Sequence, residues 1–134
     1  MRVRHALELS ECDVAVVAGL AEAAREGWAV TIAMVDDSGT PIRLSRMDEA
    51  SAASVSTAIE KARSAALTGV ETKLMEAMIK DRPAVATMGR VAVEGGVPIL
   101  HKGQRVGGIG VSGVQSHQDA QVAKATRAAL ALLL

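Results

Sequence analysis

Hydrophobic residues recur at helical spacing in four parts of the chain, and each stretch predicts a helix. The first is predicted over about 11–26 and the second over about 50–67, with glycines after both as stop signals. A short third helix is ended by Pro83, because proline cannot continue a helix. The last runs from Ser116 to the C-terminus. Ser10 with Asp13, and Ser116 with Asp119, have the spacing of N-terminal capping boxes.

Shorter runs rich in β-branched residues lie between these helices and predict strands. Residues 28–35 and 41–47 flank an Asp-Asp-Ser-Gly turn and predict a β-hairpin. Three further runs, punctuated by glycines, predict a meander of strands over about 90–94, 97–101 and 104–112.

The order of these elements predicts one α+β domain over residues 1–134, with an antiparallel sheet of about five strands and helices packed on it. A parallel doubly wound fold does not fit, since strands and helices do not alternate regularly. The pattern alone leaves open whether the two terminal helices share one face of the sheet.

Composition narrows the functional classes. Fifteen basic residues balance fifteen acidic ones, and Trp28 is the only aromatic residue, which argues against a nucleic-acid binder. Cys12 is the only cysteine, so a disulfide framework and a multi-cysteine zinc site are excluded. The chain contains no signal-peptide pattern and no apolar run of membrane-spanning length. We expect a soluble, cytoplasmic protein that uses neither nucleic acid nor membrane as a partner.

The motif from Gly108 to Gly113 matches the glycine pattern of dinucleotide sites. Such a site also needs a following parallel strand with an acidic residue about 20 positions on, and the chain ends in a helix instead. We therefore expect no nucleotide cofactor. The simpler interpretation is that these glycines keep a strand bare, so that a helix, a strand or a ligand can approach its backbone.

Three histidines, His5, His101 and His117, are scattered without the spacing of a metal site, so no metal is predicted. Cys12 has no marked catalytic partner, and no serine stands in a nucleophile elbow.

Five polar residues in apolar surroundings have two interpretations: Arg46, Asp48, Lys61, Ser112 and Asp119. As ordinary structural residues they are helix caps and solvated side chains. Together they predict a cleft for an anionic or carboxylated ligand, with the Arg46 guanidinium as its donor.

Several of these motifs resemble one family. Arg46-Met47-Asp48, Glu60-Lys61-Ala62, Gly95-Gly96-Val97-Pro98-Ile99, the segment from Gly107 to Gly113, and Gln118-Asp119 resemble the GlcG/HbpS-like haem-binding proteins, which include the PduO C-terminal domain. The resemblance runs from about residue 7 to the end. It implies a profilin-like α-β-α sandwich that assembles as a homo-oligomer, from dimer to octamer.

Functionally, the resemblance implies binding of haem or a related tetrapyrrole, for storage, sensing or degradation, and in some relatives lyase or dehalogenase-type chemistry. The implied ligand-binding residues are Arg46, Asp48, Lys61, Gly95, Gly96, Gly108, Gly110, Ser112 and Asp119. His101 and His5 are the candidate axial ligands, although His5 lies before the first helix. Glu49 departs from the family pattern, which often has glycine there.

Three hypotheses follow from the sequence. The leading one is a small-ligand-binding protein with haem as its ligand. The second is a catabolic enzyme of lyase, hydratase or dehalogenase type acting on an organic acid, with Arg46 holding a carboxylate and Asp48, Lys61 or Asp119 moving protons. The third is a non-catalytic accessory or interaction domain. Independently, the leucine-rich end of the last helix predicts self-association.

Overall fold

The structure, a computed structural model, describes residues 1–88 and 91–134. Its helices and strands follow in this order: α1 (Leu9–Glu26), β1 (Thr31–Asp36), β2 (Pro41–Arg46), α2 (Ala53–Thr68), α3 (Thr72–Asp81), β3 (Gly96–His101), β4 (Gln104–Ser112) and α4 (Ser116–Ala131). A short 3₁₀ segment, Pro83–Met88, follows α3. No helix within these ranges is long and apolar enough to cross a membrane.

The four strands form one antiparallel sheet in the order β2-β1-β4-β3. The predicted hairpin is confirmed, with Gly39 in the left-handed region at φ 83° and the Asp36 carboxylate accepting the backbone N–H of Ser38 and Thr40. Among the described residues the sheet has four strands, one fewer than the roughly five predicted. Residues 91–94 are not a strand, and residue 90 lies outside the described ranges, so the predicted meander reduces to the β3–β4 hairpin.

Helices cover both faces of the sheet, which confirms the predicted α-β-α sandwich. Strand side chains alternate between the faces, so Ile32 and Met34 pack in one core and Ala33 and Val35 in the other. The larger core lies between the sheet and helices α1 and α4, which therefore share one face. The smaller core, made chiefly of alanines, lies under α2.

Glycines in β4 let helix α2 lie directly on the sheet. A Cβ on Gly110 would overlap the carbonyl oxygen of Ala58, and one on Gly108 would overlap that of Ala62. The prediction that bare glycines admit a close neighbour is thus confirmed, and the neighbour is a helix backbone. The space beside Gly108 and Gly110 is filled by α2, so a ligand does not reach them there.

Two helices begin with a different cap from the one predicted. Helix α1 starts at Leu9, and the Glu11 carboxylate accepts the N–H of Glu8 at 2.9 Å. Helix α4 has Gln115 as its N-cap, with the Gln118 side chain accepting the Gln115 N–H at 3.1 Å. Asp119 is therefore not the capping partner of Ser116, and its carboxylate is used elsewhere.

Candidate functional site

Within residues 1–88 and 91–134, the most deeply buried charges are Lys61 of α2 and Asp119 of α4, whose side chains are 2% and 3% exposed. The Lys61 Nζ donates to Asp119 Oδ2 at 3.0 Å and to the carbonyl oxygen of Val111 at 2.9 Å. The second carboxylate oxygen, Oδ1, accepts the N–H of Val114 at 3.2 Å. Since α2 and α4 lie on opposite faces of the sheet, this pair links the two helical layers at the end of β4.

Two predicted glycines, Gly95 and Gly96, pack against this pair. Gly95 has φ 129°, and a Cβ there would stand 2.8 Å from the Lys61 Nζ and 3.0 Å from the Cβ of Asp119. A Cβ on Gly96 would meet the Lys61 carbonyl oxygen at 2.5 Å. Only glycine fits at either place, because the space is already taken by the ion pair and the α2 backbone.

The environment of Asp119 opposes its charge. Burial raises the pKa of the Asp119 carboxyl above its usual value, and the nearby Lys61 ammonium and the N–H of Val114 offset only part of that rise. The pair makes three hydrogen bonds, all within the protein, and both side chains are almost completely shielded from solvent. This arrangement suits a structural ion pair and leaves no open face on which a substrate could meet Lys61 or Asp119.

The other predicted site residues lie apart from this pair. Arg46 and Ser112 both occupy the row of the sheet that contains Thr31, one on each neighbouring strand. The exposed Arg46 donates from Nε to the carbonyl oxygen of Ala50 at 3.0 Å. Ser112 is half-buried and directly follows Val111, whose carbonyl oxygen accepts from the Lys61 Nζ.

Asp48 lies in a different place. It is exposed, as is Glu49, and both border a shallow pocket of about 380 Å³ with Trp28 and Gly27 at the end of α1. Helix α2 has Ala52 as its N-cap, so Asp48 does not cap it either. The structure thus brings Lys61, Asp119, Gly95 and Gly96 together, and leaves Asp48 outside that group.

The two histidines named as candidate axial ligands meet. The rings of His5 and His101 lie edge to face with their centroids 4.8 Å apart, although 96 positions separate them in the sequence. They border a pocket of about 170 Å³ whose other walls are mostly apolar. The lining residues are His5, Ala6, Leu7, Glu11, His101, Val106, Leu133 and Leu134.

Contacts to β4 and to the β1–β2 turn hold the segment before α1 in this position. The Gln104 side chain accepts the His5 N–H at 3.4 Å and donates to the His5 carbonyl oxygen at 3.3 Å. Arg4 pairs with Asp37 at 3.1 Å, and Leu7 packs against the larger core. His5 is therefore held by Gln104, a residue that no motif or pattern in the sequence marks.

The remaining reactive side chains stand apart from this pocket. His117 is exposed in the first turn of α4. Cys12 is fully buried in the larger core, and burial raises the pKa of its thiol to about 11. Across residues 1–88 and 91–134, no three histidine, cysteine or acidic side chains are grouped so as to hold a metal ion.

Comparison with known proteins identifies the family to which the chain belongs. The model of the haem degrading, HbpS-like proteins matches residues 7–128. Protein GlcG of Escherichia coli strain K12 is 42% identical over 114 residues, which is 84% of this chain and 85% of GlcG.

Solved structures share the fold. A double mutant of Streptomyces reticuli HbpS superposes with a TM-score of 0.90 at 28% identity, over 96% of this chain and 89% of that one. The PduOC–haem complex gives a TM-score of 0.86 at 24% identity, over 93% and 95% of the two chains.

Proposed function

Because the chain belongs to the family of haem degrading, HbpS-like proteins, we propose that it binds haem, and that the pocket bordered by His5 and His101 is the place where it does so. The observation that carries the proposal is the meeting of two histidines, distant in sequence, over an apolar wall. Imidazole is the commonest protein ligand of haem iron, and apolar walls suit the macrocycle.

The residues of the pocket fit a haem ligand in part. With the two rings in contact at 4.8 Å, a macrocycle cannot lie between them, so one histidine supplies the ligand and the other borders it. His101 is the better ligand because it belongs to β3, whereas His5 is an exposed residue of the segment before α1. Leu7, Val106 and Leu133 supply the apolar contact.

The size of the pocket bears on the role of binding. A volume of about 170 Å³ is smaller than the roughly 300 Å³ at which pockets enclose a small ligand, so haem would stay partly outside it. An incompletely enclosed haem exchanges readily. This favours reversible haem binding, as in storage or delivery for degradation, over a permanently held prosthetic group.

Absorbance titration of the purified protein with haemin tests the proposal. We expect a Soret shift that saturates at one haem per chain. His101→Ala should weaken binding by about tenfold or more, and His5→Ala by less, because only one ring ligates the iron. The chain has three histidines, so His117→Ala, on α4 and away from the pocket, is the matched control.

The outcomes separate the possibilities. Loss of the saturable spectrum in His101→Ala, with His117→Ala unchanged, supports the pocket. A wild-type protein that shows only the spectrum of free or aggregated haem overturns haem binding. Saturable binding that survives the double change His5→Ala and His101→Ala overturns the pocket as its location.

We further propose that the protein is a homo-oligomer. Leu100 on the edge strand β3 is 53% exposed, and Leu132 just beyond α4 is 88% exposed. Between these elements lies a groove of about 420 Å³ that includes Ile99, Ala128 and Leu134. Lys124 and Arg127 also line this groove, so its surface is apolar with a basic side. Exposed apolar side chains at a sheet edge are normally covered, and a second copy of the same chain is the commonest cover.

A further inference from the structure

A further pocket, the basic pocket, lies beside the segment that carries His5; the pocket that His5 and His101 border is the histidine pocket. The basic pocket measures about 280 Å³ and is lined by Arg2, Val3, Arg4, Asp37, Gln104 and Arg105. Three of these six residues are arginines, although the whole chain has zero net charge. From the charges of this lining we propose that the pocket binds a small molecule with two carboxylates. The proposal does not rest on haem binding.

The charge of the lining sets the charge of the ligand. Arg4 forms an ion pair with Asp37 at 3.1 Å, so these two charges largely cancel. Arg2 and Arg105 leave an excess of two positive charges in the pocket. A dianion balances them, whereas a neutral or cationic ligand leaves them uncompensated.

The donors that remain suit carboxylate oxygens. A guanidinium presents five N–H donors in a planar fork that matches a carboxylate with two parallel hydrogen bonds. Arg105 uses one nitrogen, Nη1, on the carbonyl oxygen of Leu67, which positions the side chain and leaves other N–H groups for a ligand. Arg4 keeps donors in the same way after its bond to Asp37.

The size of the pocket favours two carboxylates on a short carbon chain over a single small anion. At about 30 Å³ for each water molecule, 280 Å³ corresponds to roughly nine waters. One orthophosphate would fill only part of that space. The apolar side chain of Val3 offers contact to a carbon chain between two charged ends.

The pocket has an ordered frame. The two hydrogen bonds between His5 and Gln104 and the Arg4–Asp37 pair hold the segment before α1 against β4 and the β1–β2 turn. Arg4 and His5 are neighbours in the chain, yet Arg4 borders the basic pocket and His5 borders the histidine pocket. The two carboxylates therefore have two sources, a free dicarboxylate or the propionates of a haem seated next door.

Titration with succinate, followed by amide chemical shifts, tests the site itself. We expect Arg2→Gln and Arg105→Gln each to raise the Kd for succinate by about tenfold, the usual effect of losing one charge-assisted pair. Asp37→Asn should lower the Kd several-fold, because it removes the one acidic side chain in the lining while its amide oxygen can still accept the hydrogen bond from Arg4. Added salt should weaken binding, since the arginines are exposed.

Matched variants control for general charge effects. Arg25→Gln removes an exposed arginine at the end of α1, and Asp13→Asn removes an exposed aspartate paired with Arg43. Neither lines the pocket, so neither should change the Kd. A Kd for succinate that is the same in the wild type, Arg2→Gln and Arg105→Gln overturns the site. A Kd that changes equally in Asp37→Asn and Asp13→Asn also overturns it. Tighter binding of inorganic phosphate than of succinate overturns the dicarboxylate class.

Haemin and its dimethyl ester distinguish the two sources. If the wild type prefers haemin over the ester and Arg2→Gln abolishes that preference, the carboxylates belong to haem. If Arg2→Gln weakens succinate binding but leaves the ratio of the Kd values for haemin and its ester unchanged, the ligand is a free dicarboxylate. If the protein binds no haemin, only the haem proposal fails. The succinate titration then still tests the dicarboxylate site.

Discussion

Lys61 and Asp119 join helices that lie on opposite faces of the sheet, with 3.0 Å between Nζ and Oδ2 and both side chains almost completely buried. Taking two charges out of water is costly, so neither tolerates the loss of its partner. The Gly95 backbone and the Val111 carbonyl close over the pair. The pair therefore links the two helical layers of the domain.

Removing one member of this pair should destabilise the fold strongly. Lys61→Met leaves Asp119 buried without its counter-charge, and we expect the free energy of unfolding to fall by about 3 to 5 kcal/mol. Urea denaturation at neutral pH measures the change. The exposed pair of Arg63 and Glu60, 3.5 Å apart, is the control, and Arg63→Met should cost less than about 1 kcal/mol.

The double variant separates lost charge pairing from lost packing. Lys61→Met with Asp119→Leu removes both charges, and it should recover much of the stability lost by Lys61→Met alone. Equal unfolding free energies for the single and double variants would show that the unpaired charge does not cause the loss of stability in Lys61→Met.

Gly110 is the position where α2 lies closest to the sheet. In Gly110→Ala the new methyl group would overlap the carbonyl oxygen of Ala58, and backbone cannot rotate away as a side chain can. We expect a loss of about 3 kcal/mol in thermal or urea unfolding. Gly103→Ala is the comparison: it has open space around it and should cost only about 1 kcal/mol, from its φ of 78°. Equal losses would contradict the packing explanation.

Cys12 should be an unreactive thiol in the folded protein. Its pKa is raised from 9.0 to about 11, which lowers the thiolate fraction at neutral pH by about a hundredfold, and the side chain is fully buried. Labelling with a thiol reagent should therefore be slow in buffer and fast in denaturant. Rapid labelling of the native protein would show that α1 opens readily.

The same thiol predicts a loss of stability at high pH. Because the pKa is higher in the folded than in the unfolded chain, the stabilisation is complete below pH 9.0 and disappears as the pH rises through about 11. The unfolding free energy of the wild type should fall over that range by about 2 to 3 kcal/mol more than that of Cys12→Ala. If the unfolding free energies of the two proteins fall in parallel with pH, the raised pKa of the Cys12 thiol is refuted.

Self-association should depend on the leucines that are exposed. Leu130 is unsuitable for this test, since it is 1% exposed and belongs to the larger core. We expect light scattering at micromolar concentration to give a multiple of 13.8 kDa for the wild type. Leu100→Asp and Leu132→Asp should lower that mass without unfolding the chain. A wild-type mass of 13.8 kDa would refute association.

Much of the architecture could be predicted because its signals are local. Periodicity and stop signals such as Gly27, Gly69 and Pro83 act within a few residues, so the predicted ends of α1, α2 and α4 lie within about three residues of the observed ones. The strand predicted over 90–94 was wrong, because a short run such as Val91-Ala92-Val93 has the composition of a strand whether or not a partner strand lies beside it. The capping partners were also wrong, since several polar residues near a helix start can compete for the same N–H groups.

The sequence by itself determined the elements, the class of fold and the family, because these follow from residue patterns that neighbours in the chain create together. It also marked Lys61, Asp119 and Gly95 as unusual without showing what they do. Only the tertiary structure decided that Lys61 pairs with Asp119, that His5 meets His101, and that α2 fills the space beside Gly110. Such contacts join residues about 50 to 100 positions apart, and no local pattern encodes the distance between two side chains that only the packing of helices on a sheet brings together.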